Sequence, residues 1–105
     1  MDLSVLCGHR NEAEQMIAYN NGFSLVRWPL SRHNSYPSEA VDVAPYYEQK
    51  PHYDFDDILA FARLAGVVLT VAHNQGVALR WGGDWNRDGR SRTETFLDLG
   101  HFELY

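Results

Sequence analysis

Two stretches set far apart in the chain carry the residue types best suited to chemistry: Ser31-Arg32-His33 with Ala40-Val41-Asp42-Val43-Ala44-Pro45, and Asp98-Leu99-Gly100-His101-Phe102-Glu103-Leu104. Together they supply two imidazoles, a carboxylate, and a second carboxylate three residues before the last imidazole. A catalytic zinc site asks for that set: three protein ligands of the His/Asp type, a fourth position open to water, and a nearby base for that water's proton. Neutral imidazoles and one carboxylate suit zinc and leave the ion with net positive charge, which polarises a carbonyl and acidifies water. The pattern points to a metallohydrolase.

The same stretches belong to a longer ordered series. It begins at Cys7-Gly8-His9-Arg10, with Glu14-Gln15 shortly after, and continues through Ser31-x-His33-Asn34 and Pro37-Ser38-x-Ala40-Val41-Asp42. Arg80-Trp81-Gly82-Gly83-Asp84-Trp85 and His101-Phe102-Glu103-Leu104 complete it. The series resembles the zinc D-alanyl-D-alanine carboxypeptidase/VanX-like peptidase group, whose motif pairs S-x-H-x-x-G-x-A-x-D with a downstream (E/D)-x-x-H. It is most similar to the phage endolysin branch, the L-alanyl-D-glutamate endopeptidases. Eight residues separate His33 from Asp42, more than in the short motif, and Pro37-Ser38 stands where that motif has glycine. That spacing favours the endolysin branch.

The resemblance implies an α+β fold of the Hedgehog/DD-peptidase-like zinc peptidase type, a small antiparallel sheet with flanking helices. It implies zinc held by His33, Asp42 and His101, with Asp98 as general base and acid, Arg10 by the substrate carbonyl and Ser31 in contact with substrate. The implied reaction is hydrolysis of the bacterial peptidoglycan stem peptide at the L-Ala–D-Glu bond by a phage or prophage endolysin. The competing readings are a D-alanyl-D-alanine carboxypeptidase or dipeptidase, which would release free D-Ala, and a non-catalytic zinc- or cell-wall-binding domain. Relatives carry further helices ahead of the strand ending in Cys-Gly-His-Arg. The chain therefore reads as a single zinc peptidase domain over residues 1–105, N-terminally short for the family.

Side-chain direction constrains these roles. In an extended strand Asp98 and His101 would face opposite sides, so their convergence requires a turn or bulge, for which Gly100 is well placed. The alternative is an ordinary surface aspartate in a Leu-Asp-Leu strand. A carboxylate suits the base because it must take a proton from water and return it to a departing amine; Glu103 is the next candidate. Arg10 sits at a strand-to-helix junction, where its guanidinium can bind a substrate carboxylate or an oxyanion, or else pair with Glu14 one helical turn on. Trp81, Asp84 and Trp85 are candidates to wall a substrate cleft, although tryptophans of a small domain are core residues at least as often. Asp84 to Gly89 also matches the opening of a calcium loop, but Thr95 stands where the bidentate glutamate belongs, and a solvated turn explains the same residues. His9, His52 and His73 read as surface or satisfied core histidines, His9 beside the cleft and His73 on a helix surface.

Placing these groups requires a scaffold. Leu3 to Leu6 suits a strand, and Asn11 with Glu14 makes a capping-box-like start for a helix over Asn11 to Asn20, ended by Gly22. Phe23 to Pro37 lacks periodicity and reads as a long loop that delivers His33. Ala40 to Ala44 alternates, which turns Val41 and Val43 to one face and Asp42 to the other. Asp54 or Asp56 can cap the main core helix, whose apolar positions run from Ile58 through Phe61, Ala65 and Leu69 to Ala72, ending before Gly76. Val77, Leu79 and Trp81 alternate with Ala78 and Arg80 as a further strand, and His101 to Leu104 gives the last.

A chain of 105 residues with 45% hydrophobic content fits one domain with one core and leaves no room for a separate wall-binding module; a monomer is expected. No apolar run approaches the ~18 residues of a membrane span, and the N-terminus lacks the basic region of a signal peptide. The expectation is a product of the bacterial host cytoplasm, without membrane insertion, that depends on a holin-type pore to reach the wall. Cys7 has no partner for a disulfide. The net charge of −5 argues against nucleic acid as a partner, since phosphate contacts need a basic face.

Overall fold

Among the described residues, four strands and two helices follow one another: β1 (Leu3–Cys7), α1 (Glu12–Asn20), β2 (Ala40–Pro45), α2 (Ile58–Asn74), β3 (Leu79–Trp81) and β4 (His101–Leu104). The computed structural model describes residues 2–90 and 97–105. The strands form one antiparallel sheet in the order β1-β2-β4-β3, the α+β architecture expected.

Strand alternation decides what each face of the sheet does. Val43 and Phe102 form the core with Leu64 and Ala65 of α2, and Val41, Leu79, Trp81, Val68 and Leu69 pack against them. Leu64 and Phe102, 2% and 1% exposed, each contribute on the order of 1.5–3 kcal/mol by burial. The intervening residues face the other way. Asp42 lies opposite His101 across β2 and β4, and Glu103 lies opposite Arg80 across β4 and β3. Paired residues share a face, so the chemistry-bearing side chains collect on the side that the core helix does not cover.

The local signals hold with some corrections. Asn11 and Glu14 form a complete capping box at α1, the Asn11 side chain taking the Glu14 N–H at 2.9 Å and the Glu14 carboxylate taking the Asn11 N–H at 3.1 Å. The cap of α2 is Asp57, whose Oδ1 accepts the Ala60 N–H at 3.2 Å. Asp54 instead accepts the Asp56 N–H and shapes the preceding turn, so neither is the cap. Gly76 ends α2 with φ +72°, and the Val77 N–H returns to Ala72 O, which keeps Val77 out of β3. The long loop before β2 contains one 3-10 turn, Arg32–Asn34.

Gly100 lies in the turn ahead of β4 because of close approach. A Cβ there would stand 2.5 Å from the Val43 carbonyl oxygen, while the Val43 N–H donates to Gly100 O at 2.8 Å. Gly100→Ala must push β4 away from β2. It is expected to cost about 1–3 kcal/mol, a thermal midpoint lowered by roughly 4–8 °C per kcal/mol in calorimetry; an unchanged midpoint would contradict the tight approach.

Candidate active site

Three side chains converge on the open face of the sheet. Strand pairing sets Asp42 Oδ1 3.0 Å from His101 Nδ1. The third group arrives on the 3-10 turn, which is capped at its start: Ser31 Oγ accepts the His33 N–H at 3.2 Å, and Asn34 Oδ1 accepts the Ser31 N–H at 3.0 Å. That turn seats His33, 1% exposed, with Nε2 3.3 Å from both His101 Nδ1 and Asp42 Oδ2. Ligands roughly 2.0–2.1 Å from a tetrahedral centre lie about 3.3 Å apart. The donor set and its spacing therefore fit one zinc-sized ion.

Each imidazole is oriented from behind. Gly8 O accepts from His33 Nδ1 at 2.6 Å, and Glu103 Oε1 accepts from His101 Nε2 at 2.9 Å. Both partners are acceptors, so in the neutral imidazoles the hydrogens sit on those outer nitrogens and the lone pairs of His33 Nε2 and His101 Nδ1 face inward, whereas a protonated ring presents an N–H to Asp42 instead. Glu103 is itself held by Arg80 at 2.6 Å and Arg32 at 3.1 Å. Its carboxylate is thus committed to orienting His101, which removes it as an alternative base. Period two from His101 already places Glu103 on the same face, a signal the sequence carried. Cys7 lies near His33 and Asp42, but its Sγ sits 3.9 Å from His33 Nδ1, the nitrogen turned away from the other donors.

The charges are strongly coupled. Burial alone would raise the Asp42 carboxyl, but hydrogen bonds from His101 and His33 outweigh it and hold the group far below the usual carboxylate range. Burial works against a charged His101, yet bonds to Asp42 and Glu103 push it up to about 9. Burial likewise opposes the charge on Glu103, and its bonds to His101 and Arg80 bring it down to about 2. Asp98 is different. Burial, reinforced by the negative charge of Asp42, raises its carboxyl.

Asp98 reaches the triad by a turn, as its spacing from His101 demands. Its N–H donates to Gly82 O at 2.9 Å, and its own carbonyl accepts the His101 N–H at 3.1 Å. A side chain at Gly82 would collide with the Asp98 carbonyl, so glycine is needed there to admit the turn. The result brings carboxylates of Asp98 and Asp42 and a His101 nitrogen within 4.8 Å of one another.

His33 and His101 of the triad open into a cleft of about 430 Å³ that Arg10, Ser31, Trp85 and Asp98 also line, with Phe23, Ser24, Leu25, Val26 and Leu30 as a mostly apolar rim. A neighbouring hollow of about 530 Å³ shares Arg10, Phe23 and Asp98 and adds Asp42. The Trp85 ring lies 5.3 Å from that of His101. Trp81 and Asp84 line a different hollow, beside Leu79 and Tyr105. Trp81 is on the core face, where its Nε1 donates to Leu99 O at 2.8 Å, and the Asp84 carboxylate accepts the amides of Asp88 and Gly89. Thr95 of the calcium-loop reading lies outside the described residues. Arg10 pairs with Asp42 Oδ2 at 3.2 Å, not with Glu14, whose carboxylate is spent on the helix cap. Its other terminal nitrogen donates to Gln15, a buried residue to which the sequence reading gave no role. His9 packs edge-on to Tyr36, His52 stacks on Tyr46, and His73 is exposed on α2.

Comparison with known proteins gives a consistent result. A family described as phage L-alanyl-D-glutamate peptidase matches residues 1–105. The L-alanyl-D-glutamate peptidase of Escherichia phage T5 is 31% identical over 106 residues, which cover 98% of this chain and 75% of that protein. The crystal structure of the Serratia marcescens L-Ala D-Glu endopeptidase ChiX superposes with a TM-score of 0.72 at 28% identity over 98% of this chain. The chain spans 66% of the length of that structure.

Glu103→Gln tests the support behind His101. The amide keeps the shape but loses the charge-assisted bonds to Arg80 and His101, and the Arg32 pair is too exposed to count for much. A loss of about 1–2 kcal/mol is expected from urea denaturation; unaltered stability would mean that these contacts are not made.

Proposed function

This chain belongs to the phage L-alanyl-D-glutamate peptidase family, and we propose that it is a zinc-dependent peptidoglycan endopeptidase that cuts the stem peptide at the L-Ala–D-Glu bond, as a phage or prophage endolysin. One observation carries the zinc chemistry: three donors, His33 Nε2, His101 Nδ1 and an Asp42 oxygen, stand 3.0–3.3 Å apart beside Asp98 at a cleft.

In this reading His33, Asp42 and His101 hold the zinc ion. When bound, zinc lowers the pKa of water and polarises the scissile carbonyl. Asp98 takes the proton of the attacking water at its carboxylate and returns it to the departing amine of D-Glu; its raised affinity for protons suits both halves of that cycle. Arg10 faces the same space with a fixed positive charge that favours an oxyanion on the substrate carbonyl. Gly8 O and Glu103 keep the two imidazole lone pairs aimed inward. Ser31 caps the turn under His33 and, with Trp85, borders the space where the peptide would lie. No helix among the described residues is long and apolar enough to cross a membrane. In the proposed setting, the enzyme is made in the host cytoplasm and reaches the wall through a holin-type pore.

Digestion of purified peptidoglycan followed by mass spectrometry of the new termini tests the scissile bond. New D-Glu amino termini are expected. Release of free D-Ala would instead favour the carboxypeptidase chemistry, and an untouched wall would leave a binding domain.

Protein purified without added metal should carry one zinc per chain. Asp98→Asn should keep that zinc and the fold while lowering kcat roughly 10²- to 10⁴-fold, since the amide is nearly isosteric but takes no proton. Near-normal turnover in this variant would place the base elsewhere.

A further inference from the structure

Gln15 of α1 is 0% exposed, and its amide touches three parts of the cleft at once. Nε2 donates to Ser24 Oγ at 2.9 Å and to Val26 O at 2.8 Å, both on the apolar rim. Oε1 accepts from Arg10 at 3.2 Å and from Asn34 Nδ2 at 3.2 Å. Arg10 reaches onward to Asp42, and Asn34 closes the turn that carries His33 while also holding the Arg10 carbonyl at 3.2 Å.

A primary amide offers two N–H donors and two acceptor lone pairs, and all four are engaged here. Its orientation is forced. A guanidinium only donates and a peptide carbonyl only accepts, so a flipped amide would set donor against donor and acceptor against acceptor. A core-facing helix position is ordinarily filled by an apolar side chain, as at Ala18 one turn on. A fully satisfied polar group in that place selects one arrangement of its neighbours, because any other leaves buried groups unpaired.

We infer that Gln15 is a positioning residue for the peptidase reaction, fixing the Arg10 guanidinium and the rim at Ser24 and Val26 in a single arrangement. The inference rests on the peptidase reading above. Through Arg10 it acts on the charge beside the scissile carbonyl, and through the rim it acts on how the peptide is seated.

The two halves of the amide can be separated. Gln15→Glu keeps acceptors toward Arg10 and Asn34 but sets an oxygen against the Val26 carbonyl, which frees the rim. Gln15→Met removes both halves, and Ser24→Ala removes one rim bond. Full-length variants are assayed for kcat and KM on a stem peptide containing the L-Ala–D-Glu bond, with circular dichroism and zinc content measured alongside. Gln15→Glu should raise KM about tenfold, and Gln15→Met should raise KM and lower kcat about tenfold or more. Ser24→Ala should raise KM about threefold, and zinc should stay at one per chain throughout. Folded Gln15 variants with parental kcat and KM, or with kcat lowered equally in both and KM unchanged, would overturn the inference. If neither Gln15 variant folds, a parental KM in Ser24→Ala overturns it and a raised KM supports it. A parent that leaves the L-Ala–D-Glu bond intact overturns the peptidase reading itself, and the inference with it.

Discussion

The pairing of β2 with β4 is the constraint on which the site depends. Asp42 and His101 are far apart in the chain but directly opposed in the ladder. A one-residue slip of either strand would break that opposition and turn the slipped strand's apolar residues, Val41 and Val43 or Phe102, out of the core. Burial of those three apolar side chains against α2 therefore does two jobs: it holds the sheet together, and it prevents the register from slipping. The same ladder carries Glu103 beside His101 and Arg80 beside Glu103, so the support behind one imidazole is a continuation of the pairing that brings it to Asp42.

Around that ladder the chain repeatedly chooses close backbone approach over side-chain bulk. Gly82 and Gly100 bracket the segment that carries Asp98 into the cleft, and in each case a Cβ would strike a neighbouring carbonyl. Trp81 supports the same segment from the core side through its bond to Leu99 O. Asp98 consequently enters a crowded, partly buried place next to another carboxylate, where its proton affinity rises, while Asp42 a few ångströms away is pulled the opposite way by two imidazoles. Two aspartates with opposed environments are what a division between a charge-holding and a proton-moving role requires.

Much of this was legible in the sequence because it is local. Alternation in Ala40–Ala44 separated Asp42 from the valines, the Asn11 and Glu14 box marked the start of α1, and the three-residue step from Asp98 to His101 called for a turn at Gly100. Trp81 was legible too, since the alternation with Arg80 puts it on the core face, and treating it as a cleft wall set that parity aside. What escaped was set by tertiary contacts. Asp57 caps α2 although Asp54 and Asp56 are chemically equivalent, and its other carboxylate oxygen accepts the Tyr47 hydroxyl at 3.1 Å, a contact no local pattern announces. Gln15 stands in the ordered series without a role, and only the folding of residues 24–26 back over α1 makes it the most enclosed position on that helix.

The way the three donors are seated bears on the order of assembly. His33 stands on a turn closed by Ser31 and Asn34, and its outer nitrogen is tied to Gly8; Asp42 and His101 stand on paired strands. Small zinc domains whose ligands lie on otherwise unsupported loops cannot fold until they are loaded. Here the three donors are seated by contacts the polypeptide makes itself, so the socket takes its shape from strand pairing and the capped turn as the chain folds.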